Sequence, residues 1–336
     1  MRVFRWIAAM AVLCFTSAAC IPDSRFEAII KTLPSAPLPM AAVPPLAGTP
    51  GNSPAPPLSN SAPTASAGKP AWSRAALSEW GMQNAAFDAR GLGPVAASTK
   101  PLVVVGRQNS LGQPWPRAEV DAARANKWLL AYMSVGEAQM SEWYWQSGWG
   151  VGNPPWIVGN SPYFGNNVYT DLGSTAWAEV LHRTLDRIID QGFDGAFLDV
   201  VDVYWFPNYP GGPSQLNMAR GATMVCNLAI YARSRVPGFK LIVNNAINLV
   251  ADFPGYGACL DGEVVEGLWW IGIGQARDEF YRAQKVGELG THLAAGIPVF
   301  SVDYAPVSQA NAVAGAARSL GYAPYIASEG LDAPLR

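Results

Sequence analysis

The feature that most constrains this chain is an alternation. Short apolar runs recur along it: "LVVVG" (102–106), "WLLAYMSV" (128–135), "FDGAFLD" (193–199), "KLIVNN" (240–245), "GEVVEG" (262–267) and "IPVFSVDY" (297–304). Runs of this length without a helical period read as buried strands. Between them, "TAWAEVLHRTLDRIIDQ" (175–191) places Val180, Leu181, Leu185, Ile188 and Ile189 at the spacing of a helix laid on a sheet. Stretches 117–126, 214–235, 276–290 and 307–320 read as helical too, and "SEWGMQNAAF" (78–87) and "GYAPYIA" (321–327) complete the strand set at either end. Such alternation implies a parallel sheet covered by helices. About eight strands in about 265 residues predict an α/β fold of the (β/α)8 TIM-barrel type rather than an open doubly wound sheet. No G-x-G-x-x-G turn follows the first strand, which argues against dinucleotide binding.

The N-terminal segment obeys different rules. "MRVFRWIAAMAVLCFTSAAC" carries Arg2 and Arg5, an apolar stretch from Trp6 to Phe15, and small residues at Ser17, Ala18 and Ala19. That is the anatomy of a secretory signal, and it is too short for a comfortable membrane span. Cys20 directly follows the small residues and resembles a lipoprotein processing site, with attachment to a membrane through a lipid; plain cleavage is the alternative, and both imply export. From about Leu33 to Pro70 the chain is rich in proline, alanine and serine, with almost no charge and no apolar period. Such a segment cannot bury enough surface to offset its ordering entropy and reads as a disordered tether. The expected division is a signal over 1–20, a linker over 21–70 and a catalytic barrel over 71–336. A monomer is expected, since the tether supplies its own localisation.

Composition narrows the chemistry. The net charge is only -2 and no Lys/Arg-rich run occurs, so a nucleic-acid partner is not expected. Beyond Cys14 and Cys20, only Cys226 and Cys259 remain. They can pair in an oxidising compartment, but the absence of a framework of several bridges favours two separate buried thiols. The two histidines, His182 and His292, fall in predicted helices and read as ordinary helix-face residues. A Ser-His-Asp triad or a zinc held by several imidazoles is therefore not expected, and no cofactor is required.

In a barrel, the carboxyl ends of the strands line the active-site mouth. Those ends carry Glu137, Asp199, Asp202, Asn244, Asn245, Glu266 and Asp303. Strand alternation puts Gly195, Phe197 and Asp199 on one face, so Asp199 points inward, while Asp194 has the opposite parity and suits a structural bond. Carboxylate-rich, histidine-poor chemistry suits glycoside hydrolysis, in which one acid protonates the leaving oxygen and another acts as nucleophile or activates water. Glu266 lies between "EVV" and "GLWW", an apolar setting that raises a carboxyl pKa, and is the candidate general acid. Aromatic side chains follow the same strand ends: Trp143, Tyr144, Trp145, Trp149 and Trp156 after the run at 128–135, Tyr204 and Trp205 after 193–199, and Trp269 and Trp270 after 262–267. They suit the apolar faces of sugar rings, with about half expected to pack the long 138–173 loop onto the barrel.

"AYMSVGEAQ" (131–139), "GFDGAFLDVVDVY" (192–204), "VNNA" (243–246), "DGEVVEGLWW" (261–270) and "VFSVDYA" (299–305) together resemble the glycoside hydrolase family 114-like barrels, relatives of endo-α-1,4-polygalactosaminidases. The resemblance runs from about Trp80 to the C-terminus. It implies a catalytic pair of Asp199 and Glu266, with Glu137 and Asp202 contacting or orienting the substrate. Two departures stand out. Gly106 occupies the place where an aspartate is expected after "LVVV", and "GEAQMSEWYW" lacks the arginine expected between the glutamate and the aromatic pair.

The expectation is thus an exported glycoside hydrolase acting on an α-linked, galactosamine-containing polysaccharide. Asp199 and Glu266 are its catalytic residues; Tyr132, Glu137, Asp202, Tyr204, Trp205, Asn244, Asn245, Trp269, Asp303 and Tyr304 are its candidate substrate contacts. A non-catalytic polysaccharide-binding protein on the same barrel is the alternative. A third reading is a metal-dependent hydrolase with Glu137, Asp199, Asp202 and Asp303 as oxygen ligands.

Overall fold

The computed structural model describes residues 68–272 and 274–327, with Leu331 and Leu335. The expected signal, Cys20 and the expected linker as far as residue 67 lie outside the described residues. Lys69 and Pro70 already contact the barrel: Lys69 pairs with Asp194, and the Trp128 indole donates to the Pro70 carbonyl at 3.0 Å.

Eight parallel strands form one sheet in chain order: β1 (Gly81–Gln83), β2 (Leu102–Val105), β3 (Trp128–Ser134), then, after a three-stranded insertion, β7 (Gly195–Asp199), β8 (Lys240–Asn244), β9 (Gly262–Glu266), and finally β12 (Val299–Asp303) and β13 (Ala323–Ile326). The strands are short, rich in Val, Leu and Ile, and buried on both faces, as a sheet covered by helices requires. Even-numbered Leu102, Val104, Leu130, Ile242, Val264, Phe300 and Val302 pack with Phe197 into one interior cluster. Val103, Val105, Leu129, Ala131, Ala196, Leu198, Leu241 and Val243 belong to a second cluster that includes helix residues. The edges β1 and β13 meet through side chains: the Tyr325 hydroxyl donates to the Met82 carbonyl at 3.1 Å, and Trp80 packs edge-on against Phe300 and Tyr325. The result is a nearly closed (β/α)8 barrel.

Helices α1 (Gly93–Ala97), α2 (Arg117–Ala123), α3 (Thr175–Gln191), α4 (Gln215–Arg235), α5 (Leu249–Asp252), α6 (Glu279–Ala294) and α7 (Val307–Ser319) follow the strands. Local chemistry sets the ends of α3. The Ser174 hydroxyl caps it by accepting from the Trp177 N–H, and Gly192 ends it in the left-handed region at φ 94°. Trp177, Leu181, Leu185 and Ile188 bury its apolar face. Asp194, at the start of β7, has the structural role its parity implied, pairing with Lys69 and Arg124 and accepting from the Leu129 N–H.

Two expectations are corrected. Cys226 on α4 and Cys259 in the turn before β9 form a disulfide, with Cα atoms 5.0 Å apart at a sequence separation of 33. A lone bridge leaves no spacing pattern, so only the fold brings its halves together. On the chain-entropy estimate a loop of that length contributes about 3–4 kcal/mol. His292, on α6, is fully buried against Glu263 rather than on an ordinary helix face; His182 is half-buried, hydrogen-bonded to Asn227 and stacked on Tyr231.

The long connection after β3 has a sheet of its own. β4 (Glu137–Gln139), β5 (Ile157–Asn160) and β6 (Asn167–Thr170) pair antiparallel in the order β4-β6-β5. A short hairpin, β10 (Trp270–Gly272) with β11 (Gln275–Ala276), follows β9. Both insertions occupy the carboxyl-end face, where the candidate acids lie.

Candidate active site

The strand parity that fills the interior also fills the mouth. Tyr132 on β3, Asp199 on β7, Asn244 on β8, Glu266 on β9 and Tyr304 just after β12 continue the inward series. Their polar atoms converge. The Tyr132 hydroxyl donates to Asp199 Oδ2 at 2.7 Å. Asn244 Nδ2 donates to Asp199 Oδ1 at 3.0 Å and to Glu266 Oε2 at 3.1 Å. The Tyr304 hydroxyl donates to Glu266 Oε1, and the Glu266 N–H donates to Asn245 Oδ1 at 2.9 Å. A single amide nitrogen therefore spans two carboxylates from strands that are next-but-one neighbours in the sheet.

The backbone at these strand ends is unusual. Val200 follows Asp199 at φ 59° and Asn245 follows Asn244 at φ 62°. A β-branched residue in the left-handed region is strained by about 1–3 kcal/mol. At Val200 this conformation turns its N–H onto Asp199 Oδ1 at 2.9 Å. Asp199 thus receives three donors on two oxygens, an arrangement made for an acceptor-only carboxylate.

Glu266 is held differently. Burial, and after it the Asp199 charge, raises its carboxyl above the ordinary value, while the Tyr304 and Asn244 hydrogen bonds pull the other way. Tyr132 and Tyr304 are pushed well above the ordinary phenol, by burial first and then by the carboxylates they serve, so both remain hydrogen-bond donors. Asp202, half-buried in the turn after β7, is pushed up to about 8 by burial and the Asp199 charge.

The other candidates lie elsewhere. Asp303 has odd parity and faces outward; it is fully buried, and its Oδ1 accepts from the Trp269 and Trp270 N–H groups at 2.6 and 2.9 Å. It fixes the turn after Glu266 and does not open onto the mouth. Burial raises its carboxyl to about 6. Glu137 is 1% exposed on β4 and accepts from Asn167 Nδ2 at 2.8 Å, with burial raising its carboxyl. Tyr204 is fully buried with its hydroxyl toward Asn248, so it walls no cleft, whereas its neighbour Trp205 is 55% exposed. The aromatic residues of the 138–173 loop pack on the barrel almost throughout: Trp145 meets Trp149, Trp149 meets Trp156, and Trp156 lies 4.7 Å from Trp177. The four acids proposed as metal ligands do not converge, and no group of three or more His, Cys, Asp or Glu placed to hold a metal occurs among the described residues.

Sequence reasoning missed Arg107 and Glu142, which form a largely buried ion pair, with side chains 10% and 8% exposed. The two departures noted above meet here. Gly106 admits no aspartate, because a Cβ there would sit 2.2 Å from the Asn84 carbonyl oxygen. The next residue, Arg107, supplies a cation, and Glu142, beside the aromatic pair, supplies the anion. The polarity is opposite to the expected one. Arg277 was also missed; its Nε donates to the Gly267 carbonyl at 2.9 Å beside Glu266.

The chain resembles solved barrels with the same layout. The glycoside hydrolase domain of PelA from Pseudomonas aeruginosa superposes with a TM-score of 0.59 at 23% identity, covering 76% of this chain and 96% of that one. Aspergillus fumigatus Ega3, solved in complex with galactosamine, gives a TM-score of 0.55 at 17% identity over 78% of this chain and 94% of that one. At such identities the likeness shows the fold. In sequence, an uncharacterized protein of Deinococcus radiodurans is 36% identical over 267 residues, 79% of this chain and 84% of its own length. An uncharacterized Thermotoga maritima protein is 30% identical over 144 residues, 42% of this chain and 45% of its own. The model of glycoside-hydrolase family GH114 matches residues 62–335, and the chain belongs to that family of glycoside hydrolases.

Proposed function

We propose that this glycoside hydrolase cleaves an α-linked, galactosamine-containing polysaccharide with retention of anomeric configuration, using Asp199 as nucleophile and Glu266 as acid and base. The observation that carries this is the Asn244 bridge. Two carboxylate oxygens lie within 3.0 and 3.1 Å of one nitrogen, so their separation cannot exceed the sum of those distances. A bridge of one amide nitrogen suits the roughly 5–5.5 Å between the carboxyl groups of retaining pairs better than the roughly 6.5–9.5 Å that leaves room for an intervening water.

In the first step Asp199 attacks the anomeric carbon, forming a glycosyl ester as the bond to the leaving oxygen breaks; that oxygen takes the Glu266 proton. In the second, the Glu266 carboxylate removes a proton from water, the water oxygen bonds the anomeric carbon, and Asp199 departs as carboxylate. The raised Glu266 carboxyl suits the acid role, and the Tyr132, Asn244 and Val200 donors orient Asp199 for attack. Galactosamine is favoured by membership of the family and by the galactosamine in the Ega3 complex. A mouth with two facing carboxylates also attracts a cationic sugar. The N-terminal signal pattern supports export, with Cys20 as the residue for a lipid; loss of radiolabelled acyl chain on Cys20→Ala would test it.

The deciding experiment is hydrolysis of partly deacetylated α-1,4-linked galactosaminogalactan, with the first-formed anomer read by NMR. The α anomer should appear first, and Asp199→Asn and Glu266→Gln should each lose at least about a hundredfold in rate. Undiminished cleavage by both variants, or the β anomer first, overturns the assignment.

A further inference from the structure

Asp199 owes one of its three hydrogen bonds to a side chain whose own position has to be explained. Tyr132 sits near the end of β3, with its ring stacked at 6.0 Å on Phe197. β2 ends at Val105, paired with Ala131, so the Tyr132 carbonyl lies beyond the last residue of its neighbour strand. Arg107 fills that place: its Nη1 donates to the Tyr132 carbonyl at 3.2 Å, and its Nη2 pairs with Glu142. Gly106 lets this segment run close to the Asn84 carbonyl and so fixes where Arg107 begins.

Glu142 is itself anchored. It precedes Trp143 and Tyr144, of which Trp143 lies under the Arg187 guanidinium and Tyr144 packs edge-on to Trp177. The Tyr144 hydroxyl also accepts from the Gln139 N–H at 3.2 Å. A largely buried ion pair is a weak source of stability but a strong source of geometry, since charged hydrogen-bonding groups tolerate little misalignment away from water.

We propose that Arg107 and Glu142 are a positioning pair, which clamps the segments after β2 and β4 onto the end of β3 so that Tyr132 presents its hydroxyl to Asp199. With side chains only 10% and 8% exposed, they act through Tyr132 and not on the sugar. The kinetic consequence rests on the proposed hydrolysis; the hydrogen bond itself does not.

The test uses the purified full-length protein. The Tyr132 hydroxyl proton, identified by its absence in Tyr132→Phe, is followed in the downfield proton NMR spectrum, and hydrolysis is followed in parallel. The variant is the double change Arg107→Met/Glu142→Gln, which leaves no unpaired buried charge, and retained folding is checked by its thermal midpoint. The hydroxyl resonance should vanish or broaden by exchange. On cleaved substrates kcat should fall at least about tenfold with KM within about twofold. Adding Tyr132→Phe to the double variant should cost nothing further in rate. A hydroxyl resonance unchanged from wild type, or rate losses that multiply, overturns the proposal. If no substrate is cleaved by the wild type, the proposed activity fails, and the resonance alone decides the positioning role.

Discussion

Two glutamates on β9, three residues apart, have opposite fates. Glu266 faces the mouth, half-buried, with donors on both oxygens and Asp199 across the Asn244 amide. Glu263 faces the helices, fully buried, with the His292 ring 3.6 Å away, beyond hydrogen-bond length. Burial raises both carboxyls above the ordinary value of 4.5, and burial is the first cause in each. A perturbed acid therefore does not by itself mark catalysis. Strand parity makes the difference, through access and through a second carboxylate in reach.

The largest effect that would sharpen this contrast is kinetic. Glu266→Gln should lose at least about a hundredfold in kcat, while Glu263→Gln should stay within about threefold of wild type on the same substrate. Equal losses would break the comparison. Next in size is Asp303→Ala, which removes the acceptor shared by the Trp269 and Trp270 N–H groups. Chemical denaturation should show a loss of about 1–3 kcal/mol, because both groups lose their partner at once.

A smaller effect follows from what the two glutamates share, a raised carboxyl. Each carboxyl titrates higher folded than unfolded, so the folded state holds protons that the unfolded chain has released. The stabilising contribution is complete below the unfolded value of about 4.5 and is lost as pH rises through the folded one. Glu263→Gln should flatten the fall in unfolding free energy from pH 4 upward, as measured by urea titration at several pH values; an unchanged slope would remove Glu263 from that linkage. The smallest effect is expected at Trp205, 55% exposed after β7. Trp205→Ala should raise KM severalfold and leave stability within about 0.5 kcal/mol; an unchanged KM would show that it meets no sugar.

The barrel was legible in the sequence because parallel strands buried on both faces leave continuous apolar runs. The Asp199 and Glu266 positions were legible because each ends such a run. Parity, applied to Asp199, also distinguishes Asp303 from Tyr304, one residue later and turned inward; a list of strand-end acids hides that distinction. Tyr204 misled because an aromatic ring that packs a core and one that stacks a sugar look alike in sequence, and the tryptophans at 145, 149 and 156 fall in the part of the loop set expected to pack the barrel. The Cys226–Cys259 bridge was only one of two readings, and the Arg107–Glu142 pair was missed, for a common reason: each joins segments with no shared local pattern.

The Asn244 amide has a consequence for how such an enzyme diversifies. On the proposed assignment one nitrogen ties nucleophile to acid, so the two cannot drift apart independently, and the stereochemical outcome is set at the ends of β7, β8 and β9. Apart from Glu142, which pairs with Arg107, and Arg277, which donates to the Gly267 carbonyl beside Glu266, the insertions after β3 and β9 can be rebuilt around that frame. New sugars can then be adopted by replacing those segments, with the handedness of the product inherited unchanged.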